Sequence, residues 1–596
     1  MRPITLVTCA AAAALAKPVD FVVIGAGTSG LVVANRLSED PSVTVAVIEP
    51  GGDERDNPLV YTLDGWYQVQ GTHVDWSYDL KGPPGPDGKP RKLAAGKGWG
   101  GTSLINGMTY IRGNTAEFDA WEDLGNPGWN WEALLPYYKR SELFTVPTEA
   151  QIAAGATYDE DYHGFEGHVR TGYPSTVKNT SFSPNVTQTW EGLGFEHNLD
   201  LNSGSVHGFS VSPSTVDPEQ DIRWDSARAN YYPIEQRRNI KIIQGTVKRI
   251  TWAEKRGRPP KKGITANGVE YLTPDGKTKT LAVKKEVVVS AGALRTPLVL
   301  EGSGIGNPRI LKSLGIDLVV DLPGVGENLI DQTNTVQAWI ANFEASSTQF
   351  QAFVTAADLF GDDLPAVEAS TRESLSSWSQ AIVDASGEGA LDPAAVETQL
   401  RLQHDLIFKK NVTLAEVISM GAANAGLGNG DTPVFGSAYW NLLPFSRGSV
   451  HLRSADAIDD PAIDPRYNLV DFDLQASVAA GKLVRKFWAS QPIAGSVSGQ
   501  VVPGPDVLPE DATEEEWESF HRAALSPNFH PLGTASMMAR DLGGVVDPEL
   551  RIYSTANVRV VDASVLPTQF SGHLTATLYA VAERASDFIR GKAKRN

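Results

Sequence analysis

The sequence contains a single cysteine, Cys9, among its 596 residues. Because Cys9 lies in a predicted signal peptide, the mature chain would have no disulfide, thiolate metal site or cysteine nucleophile, and we expect no bound metal. Basic residues are also few: 52 Lys and Arg against 71 Asp and Glu give a net charge of −19. This balance argues against binding to nucleic acid or to anionic membranes, and it predicts an acidic, solvated surface.

Long apolar runs are missing apart from one near the start, Ile4 to Leu15. It follows Arg2, leads into a small-x-small pattern that ends at Ala16, and is shorter than the roughly 20 residues that span a bilayer. We therefore predict residues 1–16 to be a signal peptide, rather than the alternative of a short membrane anchor, and the protein to be secreted. Three glycosylation sequons agree with that route: Asn179, Asn185 and Asn411.

A β-α-β unit opens the predicted mature chain. Val19–Ile24 is an apolar run of strand type that stops at Gly25, Thr28–Leu37 has helical character, and a second strand, Val43–Ile48, ends at Glu49. This pattern predicts the start of a doubly wound sheet. Further strand-like runs are distant in sequence and suggest a sheet assembled from separate segments: Ile240–Ile243, Val287–Val289 and Val558–Val561.

The glycines Gly25, Gly27 and Gly30 form a dinucleotide-binding fingerprint at the first strand-to-helix turn. The first glycine permits the tight turn, the second lets the backbone approach a pyrophosphate, and the third allows close helix-strand packing. Thr28 and Ser29 lie at the helix N-terminus, whose free N–H groups favour an anion. Glu49 stands where a carboxylate accepts ribose hydroxyls.

A second match to the glycine pattern, residues 96–101, follows no buried strand. Two interpretations stay open for this segment and its continuation to Met108. It is either a flexible turn or a backbone surface that lies against a phosphate or an isoalloxazine ring.

Two of the ten histidines, His530 and His573, lie in polar, glycine-bearing loops that border apolar segments. A neutral imidazole can remove a hydroxyl proton while hydride leaves the adjacent carbon. The pair therefore fits alcohol oxidation, although a structural role is the alternative for each.

Taken together, these motifs resemble the glucose-methanol-choline (GMC) family of flavin oxidoreductases. The resemblance spans nearly the whole predicted mature chain and includes further signatures in family order: residues 292–306 and residues 322–329. The block 528–585 is similar to the branch that holds glucose oxidase, FAD-dependent glucose dehydrogenases and aryl-alcohol oxidase.

The resemblance implies FAD as the cofactor and a mixed α/β fold, in which a Rossmann-type FAD-binding domain is interleaved with a substrate domain built on a large antiparallel sheet with helices. It implies an FAD-binding domain from residues 17–60, 91–150, 225–330 and 541–596. The substrate domain would comprise residues 61–90, 151–224 and 331–540.

The resemblance also implies roles for single residues. His530 would take the substrate hydroxyl proton and His573 would orient the substrate, with hydride passing to flavin N5 and then to oxygen or a quinone. Val247 would contact adenine. Other residues would line the flavin: Gly101, Thr102, Ser103, Asn106, Gly107, Met108, Asp562, Ala563, Leu574 and Thr575. Trp440, Asn528 and Phe529 would form part of the substrate pocket.

Substrate identity is where the chain departs from glucose-specific relatives. Those relatives usually carry an arginine, an acidic residue and a tyrosine where this chain has Ser526, Ala438 and Trp66. Loss of these polar sugar contacts predicts a non-glucose alcohol, such as an aryl, furanic or secondary-metabolite alcohol. The alternatives are a mono- or oligosaccharide substrate, or a non-redox cyclisation on the same fold. The chain would be a monomer or a homodimer.

Overall fold

The computed structural model describes residues 17–85, 88–253, 263–344, 346–421 and 433–592. The predicted signal peptide, with Cys9, lies outside these residues. Within them, the chain folds around two seven-stranded sheets, one mostly parallel and one antiparallel.

The first sheet is built on the predicted β-α-β unit. Val19–Ile24 is buried at every position and pairs in parallel with Val45–Glu49 and with Thr278–Val289. The second strand begins two residues later than predicted and includes Glu49. The three distant strand-like runs all join this sheet, as expected. Its order is Ile240–Gln244, Val45–Glu49, Val19–Ile24, Thr278–Val289, Ala266–Leu272 and Thr246–Trp252, with Val558–Val560 paired to Thr278–Val289.

The second sheet is antiparallel throughout. Two central strands, Thr413–Gly421 and Val434–Asn441, are buried at every position because the sheet is covered on both faces. Its order is Val497–Val502, Thr333–Ala341, Val434–Asn441, Thr413–Gly421, Phe350–Thr355 and Gly208–Ser210, with Ser526–Pro527 paired to Thr333–Ala341.

Helices cover both sheets. The longer ones are Thr28–Ser38, Thr115–Asp123, Trp131–Ser141, Phe182–Gly192, Leu364–Ala385, Pro393–Phe408, Asp471–Ala489, Glu514–Ala524 and Leu574–Ile589. Shorter helices are Pro58–Tyr61, Glu149–Ala153, Ser226–Asn230, Thr296–Gly302, Pro308–Ser313 and Ala356–Phe360. Small strand pairs complete the fold: Tyr78–Asp79 with Lys92–Leu93, Glu142–Phe144 with Val169–Thr171, Val216–Asp217 with Ile222–Arg223, Ile305–Gly306 with Val320–Asp321, and Ser449–His451 with Ala462–Asp464.

The predicted mixed α/β fold is confirmed. Every strand of the first sheet lies in segments predicted for the FAD-binding domain, and every strand of the second lies in segments predicted for the substrate domain. The exact domain boundaries stay a prediction. Among the described residues, no helix is both long enough and apolar enough to cross a membrane.

Candidate active site

An elongated cavity, here called the active-site cavity, has walls from both sheets and reaches from the glycine fingerprint to the two histidines. His530 and His573 both line it. So do most of the other predicted site residues: Gly25, Gly27, Thr28, Ser29, Glu49, Trp66, Gly101, Thr102, Ser103, Asn106, Gly107, Met108, Val247, Ala438, Trp440, Asn528, Phe529, Asp562, Ala563, Leu574 and Thr575. The fold thus brings together residues that are more than 500 positions apart in the chain.

The fingerprint turn can be built only from glycine at its first position. Gly25 has a φ of +103°, and a Cβ there would lie 2.3 Å from the carbonyl oxygen of Ser290. Gly30 does not line the cavity. A Cβ on Gly30 would lie 2.2 Å from the Gly25 oxygen, so its role is the predicted close packing of helix against turn.

The second glycine segment packs against the first instead of forming a free turn. The Gly100 N–H donates to the Ala26 oxygen at 2.8 Å. Gly101 has a φ of +55°, and a Cβ there would lie 2.6 Å from the Gly27 Cα. Two glycine backbones thus form adjacent walls of the cavity, which leaves the N–H-rich end of the helix Thr28–Ser38 accessible to a phosphate.

Glu49 ends the strand Val45–Glu49 and lines the cavity near the glycine fingerprint. Its two carboxylate oxygens accept hydrogen bonds from the Ala26 N–H at 3.1 Å and the Gly51 N–H at 2.9 Å. Burial nevertheless raises the pKa of Glu49 to about 7, because the charged form loses its hydration. Each oxygen keeps a lone pair with which it can accept a further donor.

Around His530, two neighbours approach Nδ1. Oε1 of Gln332, an acceptor, lies 2.8 Å away, and Nδ2 of Asn528, a donor, lies 3.1 Å away. Because Asn528 Nδ2 also donates to Gln332 Oε1 at 3.0 Å, the shorter contact favours the tautomer with the proton on Nδ1 and a lone pair on Nε2. The Gln332 amide is itself fixed, because its Nε2 donates to the Leu442 oxygen at 2.9 Å. The His530 backbone N–H donates to Asp331 at 2.8 Å. Burial, with a contribution from nearby His573, lowers the pKa of His530 to about 3.

His573 is held by a buried carboxylate. Its Nε2 lies 3.2 Å from both oxygens of Glu416, a residue of the strand Thr413–Gly421 that is 0% exposed. Burial raises the pKa of Glu416, and interaction with His573 opposes that rise. The rings of His530 and His573 have centroids 5.2 Å apart and lie nearly perpendicular, so both imidazoles can reach one substrate oxygen.

The wall beside the histidines is a face of the antiparallel sheet. Residues two apart on a strand share a face, so Ile418 and Met420 extend the line begun by Glu416, and Ala438 and Trp440 lie opposite on the next strand. Of these five residues, Glu416 alone is charged, and its carboxylate lies 3.2 Å from His573 Nε2.

Of two further predicted pocket residues, Phe529 lines the cavity and Ser526 does not. Phe529 lines the cavity with a φ of +61°, a costly conformation for a bulky residue that turns up at functional sites. Ser526 does not line the cavity. Its side chain is exposed, and it pairs in the sheet with Asn334, a residue that does line the cavity.

Two family models match most of the chain. Residues 19–334 match the N-terminal GMC oxidoreductase model, and residues 444–582 match the C-terminal one. The chain belongs to the GMC oxidoreductase family.

Relatives extend this result over the whole chain. The glucose oxidase-like protein fsoC of Humicola fuscoatra is 56% identical over 96% of this chain and 96% of that protein. A glucose oxidase of Aspergillus carbonarius is 35% identical over 96% of this chain and 92% of that protein. Among solved structures, a fungal aryl-alcohol oxidase superposes with a TM-score of 0.84 at 27% identity, covering 97% of this chain and 100% of the other. An FAD-dependent oxidoreductase from Chaetomium thermophilum superposes with a TM-score of 0.85 at 28% identity, covering 96% of this chain and 99% of the other.

As a GMC member, the protein is an FAD-dependent oxidoreductase, and the cavity fits that cofactor. At Gly27, which lines the cavity, a Cβ would meet no atom closer than 3.9 Å, so the missing side chain leaves open space beside the helix N-terminus, as FAD phosphates require. Ser290 lines the cavity and has a buried hydroxyl with no partner among the described residues. Such a group is expected to bind a ligand.

Glu416 and Gln332 are the functional residues that sequence reasoning missed. Glu416 had a local signal, since it is the one charge in the otherwise apolar or small run Thr413–Gly421. A lone carboxylate in a buried strand needs a partner. Gln332 gave no such signal, because a glutamine beside a strand is common at surfaces.

Proposed function

We propose that this FAD-dependent enzyme oxidises the CH–OH group of a flat, mainly apolar alcohol to an aldehyde, ketone or lactone. Aryl, furanic and secondary-metabolite alcohols are the class we favour. The observation that carries the proposal is the cavity wall beside the two histidines. Ile418, Met420 and Ala438 offer no hydrogen bond, and Trp66 and Phe529 add aromatic surface.

The two histidines would divide the proton chemistry. With Nδ1 committed to Gln332, Nε2 of His530 is the free base that takes the proton from the substrate hydroxyl. His573, held through Nε2 by Glu416, would orient the same oxygen and stabilise its developing negative charge. Bound FAD supplies the hydride acceptor, at flavin N5.

Residues at the glycine end would hold the cofactor. Gly25, Gly27, Thr28 and Ser29 would receive the pyrophosphate, and Glu49 the ribose. Val247 would contact adenine. The segment 101–108 and the segments around Asp562 and Leu574 would line the flavin.

A second candidate is oxidation of a mono- or oligosaccharide, which the 35% identity to a glucose oxidase favours. Against D-glucose, Ala438 cannot hydrogen-bond, and Ser526 lies off the cavity wall. Without these two contacts, D-glucose in the pose expected for glucose-specific relatives would lose hydrogen bonds and bind more weakly. A non-redox cyclisation is less well supported, because both histidines are present and share one cavity.

An anaerobic substrate panel tests the proposal. The holoenzyme is mixed with substituted benzyl and furfuryl alcohols, D-glucose and cellobiose, and flavin absorbance is recorded. We expect rapid bleaching with the aromatic alcohols and none with D-glucose. Reduction by sugars alone would establish the second candidate, and no reduction by any member would overturn the redox proposal. Admitting oxygen, or a quinone, to the reduced enzyme then identifies the acceptor.

We also propose that the protein is a secreted glycoprotein. Asn179 and Asn411 are exposed, and Asn185 is half-buried. Its Nδ2 donates to the Ser181 oxygen at 2.8 Å. Mass spectrometry of protein from the culture medium should give an N-terminus at Lys17 and glycans at Asn179 and Asn411. An intracellular, unglycosylated product would contradict this.

A further inference from the structure

Arg223 is a buried cation directly behind the cavity lining. It ends the short strand Ile222–Arg223, and its side chain is 0% exposed. Nε donates to the Val60 oxygen at 2.8 Å and Nη1 to the Ser103 oxygen at 3.2 Å. Within the described part of the chain, Nη2 has no hydrogen-bond partner and the guanidinium forms no ion pair.

The carboxylate that interacts with Arg223, Asp225, is shared with another cation. Asp225 forms an ion pair with Arg228 and accepts the N–H groups of Ala227 and Arg228 as a helix cap. Burial lowers the pKa of Arg223 to about 10, which still leaves it charged at neutral pH. A buried charge without an ion pair of its own is destabilising, so its presence points to a functional role.

A relay of hydrogen bonds leads from Arg223 to the cavity. Nη1 also donates to Oδ1 of Asn106 at 2.5 Å. Because a guanidinium only donates, the orientation of the Asn106 amide is fixed, and its Nδ2 donates to Thr575 Oγ1 at 3.1 Å. The Thr575 hydroxyl hydrogen has no acceptor among the described residues, and both Asn106 and Thr575 line the cavity.

The relay ends beside the catalytic groups. Thr575 is two residues after His573, in the first turn of the helix Leu574–Ile589, whose N-terminus is the positive end of the helix dipole. Each bond of the relay polarises the next. The cavity therefore receives donors strengthened by a buried positive charge that has no ion pair of its own among the described residues.

We propose that Arg223 is a positioning residue that raises the reduction potential of bound FAD through Asn106 and Thr575. Transfer of a hydride adds two electrons and one proton to the flavin and leaves negative charge on its ring system. Polarised donors and a buried cation stabilise that charge more than they stabilise the neutral oxidised ring. This inference concerns the cofactor and holds for any alcohol substrate.

The test is the two-electron midpoint potential of the holoenzyme, measured anaerobically against reference dyes, together with sulfite binding. Sulfite adds to flavin N5 and leaves negative charge on the ring system. The affinity for sulfite therefore reports how well the site stabilises that charge. For Arg223→Met we expect a reduction equilibrium constant at least tenfold lower, about 30 mV for a two-electron couple, and sulfite binding weakened to a similar degree. Arg223→Lys should keep most of the potential.

Arg447→Met is the matched control. Arg447 is also buried and also forms no ion pair among the described residues, but its hydrogen bonds go to Gln403 and to the Pro444 and Ser446 oxygens, none of which lines the cavity. Its variant should keep the wild-type potential.

An unchanged potential in Arg223→Met with full FAD, or an equal shift in Arg447→Met, would overturn the proposal. If Arg223→Met fails to retain FAD, Thr575→Val decides: it should weaken sulfite binding about threefold, and no change would also overturn it.

Discussion

The two halves of the active-site cavity are built on different physical principles. The cofactor half is made of backbone: glycines at positive φ, a helix N-terminus and a strand-ending carboxylate that accepts two N–H groups. The substrate half is made of side chains that project from one face of an antiparallel sheet. A backbone site recognises what all family members share, whereas a side-chain site can change its substrate by single substitutions.

Burial shifts titrating groups toward their neutral forms in both halves, but their partners differ. In the cofactor half, the pKa of Glu49 is raised although its carboxylate keeps two backbone N–H donors. In the substrate half, the pKa of His530 is lowered and that of Glu416 is raised, and both groups have side-chain partners. Perturbed groups of this kind are typical of catalytic sites. The comparison predicts that substitutions in the substrate half change rates and selectivity, while substitutions in the cofactor half change FAD retention.

The largest effect is expected for His530→Ala. Loss of the base should slow anaerobic flavin reduction by alcohol about 100-fold or more, while the protein stays yellow because no fingerprint contact is lost. Stopped-flow absorbance measures the rate. His207→Ala is the control, since His207 is half-exposed and pairs with Asp358 away from the cavity. A reduction rate within a few-fold of the wild type would refute His530 as the base.

Gly101→Ala should weaken FAD binding, whereas His530→Ala slows flavin reduction. A Cβ would lie 2.6 Å from the Gly27 Cα, at a φ of +55°, so two backbones must separate. Strain of about 1–3 kcal/mol corresponds to FAD binding roughly 5- to 150-fold weaker, which equilibrium titration of the apoprotein would measure. In the same region, Gly52→Ala is the control, because its Cβ would have nothing closer than 3.9 Å. FAD affinity equal to the wild type would show that this contact is not part of the cofactor site.

How far each half could be predicted follows from contact distance along the chain. In the cofactor half, the Ala26–Glu49 bond joins residues 23 positions apart, within one β-α-β unit with a known pattern. In the substrate half, Gln332 and His530 are 198 positions apart, and Glu416 and His573 are 157. No periodicity encodes such pairs. The histidines were predictable from their loop motifs, but their partners and the position of Ser526 depended on the register of the antiparallel sheet.

Glu416→Gln should give a smaller effect with a defined pH signature. Since burial lowers the pKa of His530 to about 3, we expect the acid limb of the reduction rate to report Glu416 rather than His530. Burial raises the pKa of Glu416, so this carboxylate takes up a proton at a higher pH than an ordinary carboxyl group does. Protonation weakens its hydrogen bond to His573. Glutamine keeps an acceptor oxygen at every pH.

We therefore expect the Glu416→Gln plateau rate to fall about tenfold, from loss of a charge-assisted hydrogen bond, and the acid limb to move to lower pH. Rates of flavin reduction between pH 4 and 8 measure both changes. An acid limb at the wild-type position in the variant would assign that limb to another group.

The smallest effect is expected at Ala438 and Ser526, two of the three positions that differ from glucose-specific relatives. Ala438 lies on the apolar wall, opposite Ile418. Ala438→Ser places a hydroxyl there, which an apolar substrate would leave without a partner, so KM for an aryl alcohol should rise about tenfold with kcat nearly unchanged. Ser526→Ala should change neither constant, because the side chain is exposed and off the wall. Steady-state kinetics on one aryl alcohol compare the pair. If Ser526→Ala had the larger effect, substrate would contact the edge strand rather than the sheet face.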